Sequence, residues 1–177
     1  TAVDTKHHLI VAHEVTNDGS DRSQLSPMAK QARAAMGVKE LSAVADRGYF
    51  KSEEIQACHE AGITAFVPKV VTSGATAAGR FGREDFIYDN ATNEYQCPAG
   101  DRLIWRFSSI EKGLKMDCYW SSNCQSCYLK KDCTPSEQRR VKRWEHEAVL
   151  DAMQSSLDQA PEMMRIRKQT VEHPFGT

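Results

Sequence analysis

The apolar positions along this chain change rhythm twice. Leu9 to Val15 is a short, largely β-branched run that ends in the turn formers Thr16-Asn17-Asp18-Gly19-Ser20-Asp21, which predicts a strand leaving into a loop. Ser26-Pro27 offers a cap followed by proline at the first helical position. Met28, Ala32 and Ala35/Met36 share a face and Gly37 stands at the stop, so a helix is expected over about 27–36. Leu41 to Ala45 reads as a buried strand that delivers Asp46 at its carboxyl end, before Arg47-Gly48. Ser52 can cap a second helix with Glu53 and Glu54 in its first turn, Ile55 and Cys58 on its apolar face and Gly62 as its stop. Ile63 to Val67 is again strand-like and closes at Pro68. Strand, helix, strand, helix, strand over residues 1–68 predicts an α/β core, a sheet with helices packed on it.

The rhythm breaks at Thr72–Gly82, a Ser/Gly/Ala/Thr-rich stretch that reads as a linker or loop. Beyond it, Phe86-Ile87-Tyr88, Tyr95 to Cys97 and Leu103 to Phe107 are β-like pieces broken by Asp89-Asn90 and Pro98-Ala99-Gly100. From Ser136 to Gln159 a helical period returns, with Val141, Trp144, Ala148, Val149, Met153 and Leu157 three or four apart. Pro161 interrupts it, and Met163 to Glu172 is helical again until His173-Pro174, where the proline disfavours α geometry in the residue before it. The expected organisation is a first core segment over 1–79, a Cys-rich, mainly β insertion over 80–135 and a helical return to the core over 136–177.

Composition narrows the class without naming it. The chain has 177 residues, 40% hydrophobic and 27% charged, with Lys+Arg 23 against Asp+Glu 24, a formal charge of -1. That is ordinary for a soluble domain and excludes a membrane span, a fibrous repeat and wholesale disorder. It also excludes attachment to nucleic acid by bulk charge, so any such binding must come from local basic stretches. Five of the six cysteines lie between Cys97 and Cys133, too few for a disulfide-built miniprotein, and no apolar run near Thr1 has the length of a signal peptide. A reducing, cytoplasmic setting is the expectation. With no initiating Met and no terminating pattern at Phe175-Gly176-Thr177, the chain reads as a fragment of something longer.

An aspartate at the carboxyl end of a strand stands where open α/β sheets bind ligands, because adjoining loops leave a crevice there. Asp46 is such a residue, although taken alone a strand-end Asp beside a glycine such as Gly48 is more often a solvated turn or helix-entry residue. Glu172 follows Arg165, Arg167 and Lys168 on a helix, and with Arg143 upstream such a face is ordinarily a solvated one.

Taken together these stretches resemble the DDE-type transposases of bacterial insertion sequences. The resemblance runs in order through Thr1-Ala2-Val3-Asp4, Leu9-Ile10-Val11 and Val15-Thr16-Asn17-Asp18, then Ala45-Asp46-Arg47-Gly48-Tyr49 and Tyr95-Gln96-Cys97-Pro98. It continues in Cys124-x-x-Cys127 with Cys133 and in Val171-Glu172-His173-Pro174-Phe175-Gly176. It implies an RNase H-like fold, a mixed sheet flanked by helices, in which three acidic residues hold two divalent cations. Asp46 matches the second acidic residue and Glu172 the third. Carboxylates suit Mg²⁺ or Mn²⁺, and a metal pair can assist both oxygens of a phosphoryl transfer. The first acidic residue is expected on a strand preceding Thr1. Asp4, at a strand-to-turn junction, and Asp21 are candidates for which a turn role suffices. Where the family has Tyr, Arg and a final Lys around its Glu, this chain has Arg165 and Lys168, and the last position falls beyond Thr177. Both ends of the machinery are therefore expected outside this chain, which alone would be inactive. The implied partners are transposon-end and target DNA, with a homo-oligomer as the working form of the full-length protein and no membrane.

Cys97, Cys124, Cys127 and Cys133 could form a structural zinc site, with Cys118 spare, since Cys-x-x-Cys puts two thiolates on one turn. Reduced, unliganded cysteines, an occasional disulfide or an iron–sulfur cluster are the other readings. Cys58 reads as a helix-face hydrophobe. Arg143, Arg165, Arg167 and Lys168, with Arg139, Arg140 and Lys142 nearby, could contact phosphates, or pair with acids such as Glu145 and Glu147. The alternative to a catalytic domain is a non-catalytic, zinc-stabilised DNA-binding or interaction module from a decayed element.

Overall fold

Runs of β-branched and small apolar residues bounded by turn formers give the strands, and the computed structural model describes residues 1–70 and 73–175, with side chains through Val171. In chain order the first elements are β1 (Ala2–Val3), β2 (Ile10–Ala12), α1 (Leu25–Met36), β3 (Leu41–Val44), α2 (Ser52–Glu60) and β4 (Ile63–Phe66). Then come α3 (Gly74–Ala77), β5 (Ile87–Asp89), β6 (Glu94–Gln96), β7 (Arg102–Glu111), β8 (Leu114–Trp120), α4 (Lys130–Cys133), β9 (Val141–Trp144), α5 (Glu147–Gln159) and α6 (Glu162–Phe175). The chain is mixed α/β. It divides into two units: one made of Thr1–Val70 with the segment from Ala148 onward, the other of Val71–Glu147.

In the first unit, β1 and β2 pair antiparallel around a turn in which Asp4 Oδ2 accepts from the His7 N–H at 2.6 Å. β3 and β4 pair parallel, Leu41 opposite Ile63 and Val44 opposite Phe66, with α2 as the crossover between them. The buried positions are Leu25, Ala29 and Ala32 on α1, Ile55 and Cys58 on α2, and Leu150, Met153 and Leu157 on α5; the face expected on α1 is turned, with Ala32 buried but Ala35 and Met36 exposed, and on α5 Leu150 is buried where Ala148 was expected. α1 begins at Leu25, earlier than the expected start near residue 27. Ser26 does not cap it. Buried one residue inside, Ser26 donates its N–H to Glu54 Oε2 at 2.9 Å, so a tertiary partner replaces the cap. Gly37 closes α1 in the left-handed conformation (φ 64°), as its position predicts. α6 runs on through Pro174 to Phe175. The bias on residue 173 does not end a helix whose preceding turn is anchored by buried Thr170.

β1 is hydrogen-bonded only to β2 and β3 only to β4 among the described residues, which leaves one edge of each without a strand partner. Residues of both strands, Ala2 and Val3 with Thr1 before them and Leu41 through Val44 with Ala45 after them, line one cavity of about 250 Å³. Five consecutive lining residues include both faces of β3, so the strand presents its backbone edge to the cavity as well as its side chains.

The second unit is an antiparallel five-stranded sheet in the order β5-β6-β7-β8-β9. Phe86, Tyr95, Leu103, Tyr119 and Val141 form its core, with Phe81, Tyr88, Cys97 and Cys133 packed against it. The rings of Tyr88, Tyr95 and Tyr119 meet at centroid distances of 5.0, 5.2 and 6.4 Å, and Asn93 Oδ1 accepts from both the Tyr88 and Tyr119 hydroxyls at 2.8 Å. Where a helix was expected from Ser136, residues 141–144 are instead the edge strand β9, paired with β8, and the helix starts only at Glu147. The physical reason is Arg143. It occupies an inward position of the strand with its guanidinium carbon 3.7 Å from the Tyr88 ring centroid, so a cation fills a slot that the alternation reserves for an apolar residue. The expected loop over 72–82 contains the short helix α3, capped by Ser73 Oγ accepting from the Thr76 N–H at 3.3 Å; residues 71 and 72 lie outside the described residues.

Leu103 is 1% exposed at the centre of the second unit's core. Leu103→Ala is expected to lower unfolding stability by about 2–5 kcal/mol, read by urea denaturation with tryptophan fluorescence. A loss below ~1 kcal/mol would place the core elsewhere.

Candidate active site and cysteine cavity

β3 ends at Val44, and two residues later Asp46 turns the chain into a 3₁₀ turn over Arg47–Tyr49. Its Oδ1 accepts from the Gly48 N–H at 2.9 Å, which fixes the carboxylate at the strand's carboxyl end. Gly48 is needed there, because a Cβ at that position would come within 2.9 Å of Asp46 Oδ1. The other oxygen, Oδ2, accepts from Arg167 Nη2 at 2.7 Å, across 121 residues of chain. α6 therefore packs back to the end of β3, and Arg167, expected at a phosphate, is engaged by the carboxylate. The Asp46 side chain remains 43% exposed, so solvent reaches the site.

Tyr49 sits at the same place. Its phenol is pushed above its ordinary value, first by burial and then by the negative charges of Asp21 and Asp46, with Arg167 acting in the opposite sense. Asp21, Asp46, Tyr49 and Arg167 thus form one electrostatic neighbourhood, a grouping to which the sequence carried only the Ala-Asp-Arg-Gly-Tyr signal. Asp4 is elsewhere engaged: the His7 N–H on its carboxylate holds it below the usual range, and the His8 N–H donates to its backbone oxygen at 3.0 Å. That is the turn role.

Glu172 lies on α6, five residues after Arg167, which is about 7.5 Å along a helix axis; its side chain lies outside the described residues. Arg165 and Lys168 are exposed on the same helix. Arg143 belongs to the second unit, where it is 9% exposed with its guanidinium against the Tyr88 ring. Among the neighbouring basic residues, Arg139 lies over the Phe86 ring and Arg140 over Trp120, and Lys142 pairs with Glu111 at 2.6 Å. None of these uses the i,i+4 partners expected of a helix, because the segment carrying Lys142 is a strand.

In the second unit, Cys97, Cys124, Cys127 and Cys133 line one cavity of about 30 Å³ together with Phe81 and Phe86. Cys97 opens the β6–β7 turn, its N–H donating to Asp101 O at 2.9 Å and its oxygen accepting from Gly100 N–H at 2.8 Å. Cys124 and Cys127 span a 3₁₀ turn, and Cys133 ends α4. All six cysteines are free thiols. Burial raises the Cys133 thiol most; Arg139 lowers it, and charge on Cys124, Cys97 and Cys127 raises it. Cys118, on β8, is buried and outside the lining of this cavity. Cys58 is fully buried on α2, where burial and Glu54 push its thiol up to about 11. Among the described residues no three His, Cys, Asp or Glu side chains are already grouped as a ready metal site. Nor is any described helix long and apolar enough to cross a membrane.

The neighbourhood around Tyr49 makes a titration test. Asp46→Asn and Asp21→Asn are each expected to bring the Tyr49 phenol back toward its ordinary value, and Arg167→Gln to raise it further, followed by NMR of ring-labelled tyrosine. A Tyr49 titration indifferent to all three changes would contradict the grouping.

No curated protein and no solved structure matches this chain. A family model described as the transposase DDE domain matches residues 1–177, the whole length. With a strand-end carboxylate held against the helix that bears the third candidate acid, the chain belongs to the DDE transposase family, a family of transposition proteins that act on DNA, generally with divalent metals.

Proposed function

We propose that the chain is the RNase H-like catalytic domain of an insertion-sequence transposase, which cuts DNA strands at the element's ends and joins them to target DNA by metal-dependent phosphoryl transfer. The observation that carries this reading is the junction of Asp46 with α6: two regions separated by 121 residues meet at the carboxyl end of a parallel strand. Ligands of α/β sheets bind at such ends. Residues 71–147 are then an insertion between two parts of one catalytic core.

Asp46 and Glu172 would hold Mg²⁺ or Mn²⁺. The donor chemistry fits, since Asp46 Oδ2 is a hard oxygen that already takes a cationic partner, the Arg167 guanidinium. The metal would polarise the scissile phosphate and stabilise charge on the attacking and leaving oxygens. Arg167 neutralises Asp46 and orients it toward α6. Arg165 and Lys168, exposed on the same helix, would hold phosphates of the DNA backbone and so position the strand without reading its sequence. The first acidic residue would be carried by a strand preceding Thr1; that β1 and β3 each pair with one strand among the described residues is compatible with a further strand there. A family match over the whole length does not favour the alternative of a non-catalytic module.

In a protein that joins these residues to the strand bearing the first acid, Asp46→Asn is expected to reduce Mg²⁺-dependent strand cleavage by ~10²-fold or more while leaving DNA binding intact. Undiminished cleavage would remove Asp46 from the site. Arg165→Ala and Lys168→Ala should each weaken binding to unrelated DNA sequences about equally and flatten the salt dependence by roughly one counterion. An effect confined to one DNA sequence would show that these side chains read bases.

A further inference from the structure

We infer that Cys97, Cys124, Cys127 and Cys133 form a structural zinc site that ties the β6–β7 turn to the segment between β8 and β9. This goes beyond the catalytic reading and is independent of it. Four thiols from three separate stretches of chain line one small cavity, while the two remaining cysteines, Cys58 and Cys118, are buried outside its lining. Convergence from sequence separations of 27, 3 and 6 residues is what a tetrahedral sulfur site needs and what packing does not require.

The local backbone supports the same reading. Cys97-Pro98-Ala99-Gly100 and Cys124-Gln125-Ser126-Cys127 are both tight turns, closed by Gly100 N–H to Cys97 O at 2.8 Å and Cys127 N–H to Cys124 O at 3.4 Å. Gly100 takes φ 82°, which lets the first turn close beneath its cysteine. Between Trp120 and Val141 the only regular elements are the 3₁₀ turn at Cys124–Ser126 and α4, with four residues. Among the buried residues there are just Ser121 and Thr134. The segment thus has little apolar core of its own, the circumstance in which small modules use a metal to fold. Cys97 and Cys133 already pack against the core of the sheet, so a metal there is anchored to the rigid part of the unit. Zinc–sulfur bonds are about 2.3 Å, so closure on the ion asks the four side chains to turn inward across a cavity of about 30 Å³. Each thiol gives up its proton to solvent as it binds; no oxidant or reductant enters.

The 177-residue chain, produced with added zinc and purified under reducing conditions, is expected to carry about one zinc per molecule by mass spectrometry. Exchange with Co²⁺ should give the absorption of a tetrahedral tetrathiolate at one equivalent. Cys124→Ser and Cys127→Ser should each cut retained metal by tenfold or more, whereas Cys118→Ala, Cys58→Ala and Asp46→Asn keep it. That last variant separates failure of this site from failure of the catalytic assignment. Should the serine variants not fold, cobalt titration of the unaltered chain decides. A folded, reduced chain that binds neither ion, or that carries iron and sulfide, or whose cobalt spectrum lacks sulfur charge transfer, overturns the assignment.

Discussion

The first unit depends on α1. Its two strand pairs share no hydrogen bond among the described residues, and α1 is the element that packs on β1, β2 and β3 alike. Leu25, Ala29 and Ala32 make that face, and the alanines allow the backbone to approach both pairs closely. The helix is in turn fastened to α2 at both ends, by the Ser26 N–H on Glu54 and by Arg33 on the Ala61 carbonyl. Each bond satisfies a group that a helix end leaves open, so the capping that the local sequence omits is supplied across the interface. β3, which delivers Asp46, is covered along one edge by β4 and packed on by α1 and α6, so the clamp is one of the supports of the strand that carries the carboxylate.

Much of this first unit was legible because its periods are uninterrupted. The alternation of strand and helix over residues 1–68, the stop at Gly37 and the delivery of Asp46 by β3 all follow from local patterns. The second unit was less so. β8 reads Leu-Lys-Met-Asp-Cys-Tyr-Trp, and the turn before it places Lys112 and Gly113 at φ 51° and 84°, the mirror-image turn that joins hairpin strands. That turn was the available signal. β9 carried a misleading one: Val141, Trp144 and Ala148 happen to stand three and four apart, while the strand alternation was broken by a buried arginine. A guanidinium stacked on tyrosine counts as polar in the sequence and as interior in the fold.

The site shows the same division. Asp46 could be found from its strand, and the Cys-x-x-Cys spacing from itself. The partnership of Asp46 with Arg167 could not, since amphipathic spacing states that a helix has a buried face and not where that face goes. Arg165, Arg167 and Lys168 look alike in sequence; only the packing of α6 sends one of them to a carboxylate and leaves the other two in solvent. Convergence of Cys97 with the later cysteines likewise depends on the β6–β7 turn, a tertiary fact.

The distance along the chain between Asp46 and Arg167 also orders events in time. At ribosomal rates of about 5–20 residues per second, 121 residues take roughly 6–24 s to add. Hairpins form in about 1–10 μs, so the β5–β9 meander, built from neighbouring strands, has time to fold while the helix that faces Asp46 has yet to be made. During that interval the carboxylate stands without its arginine, and the site exists only as one half. The ion pair that joins the two stretches of the first unit is therefore made only after the strands of the second unit have been synthesised.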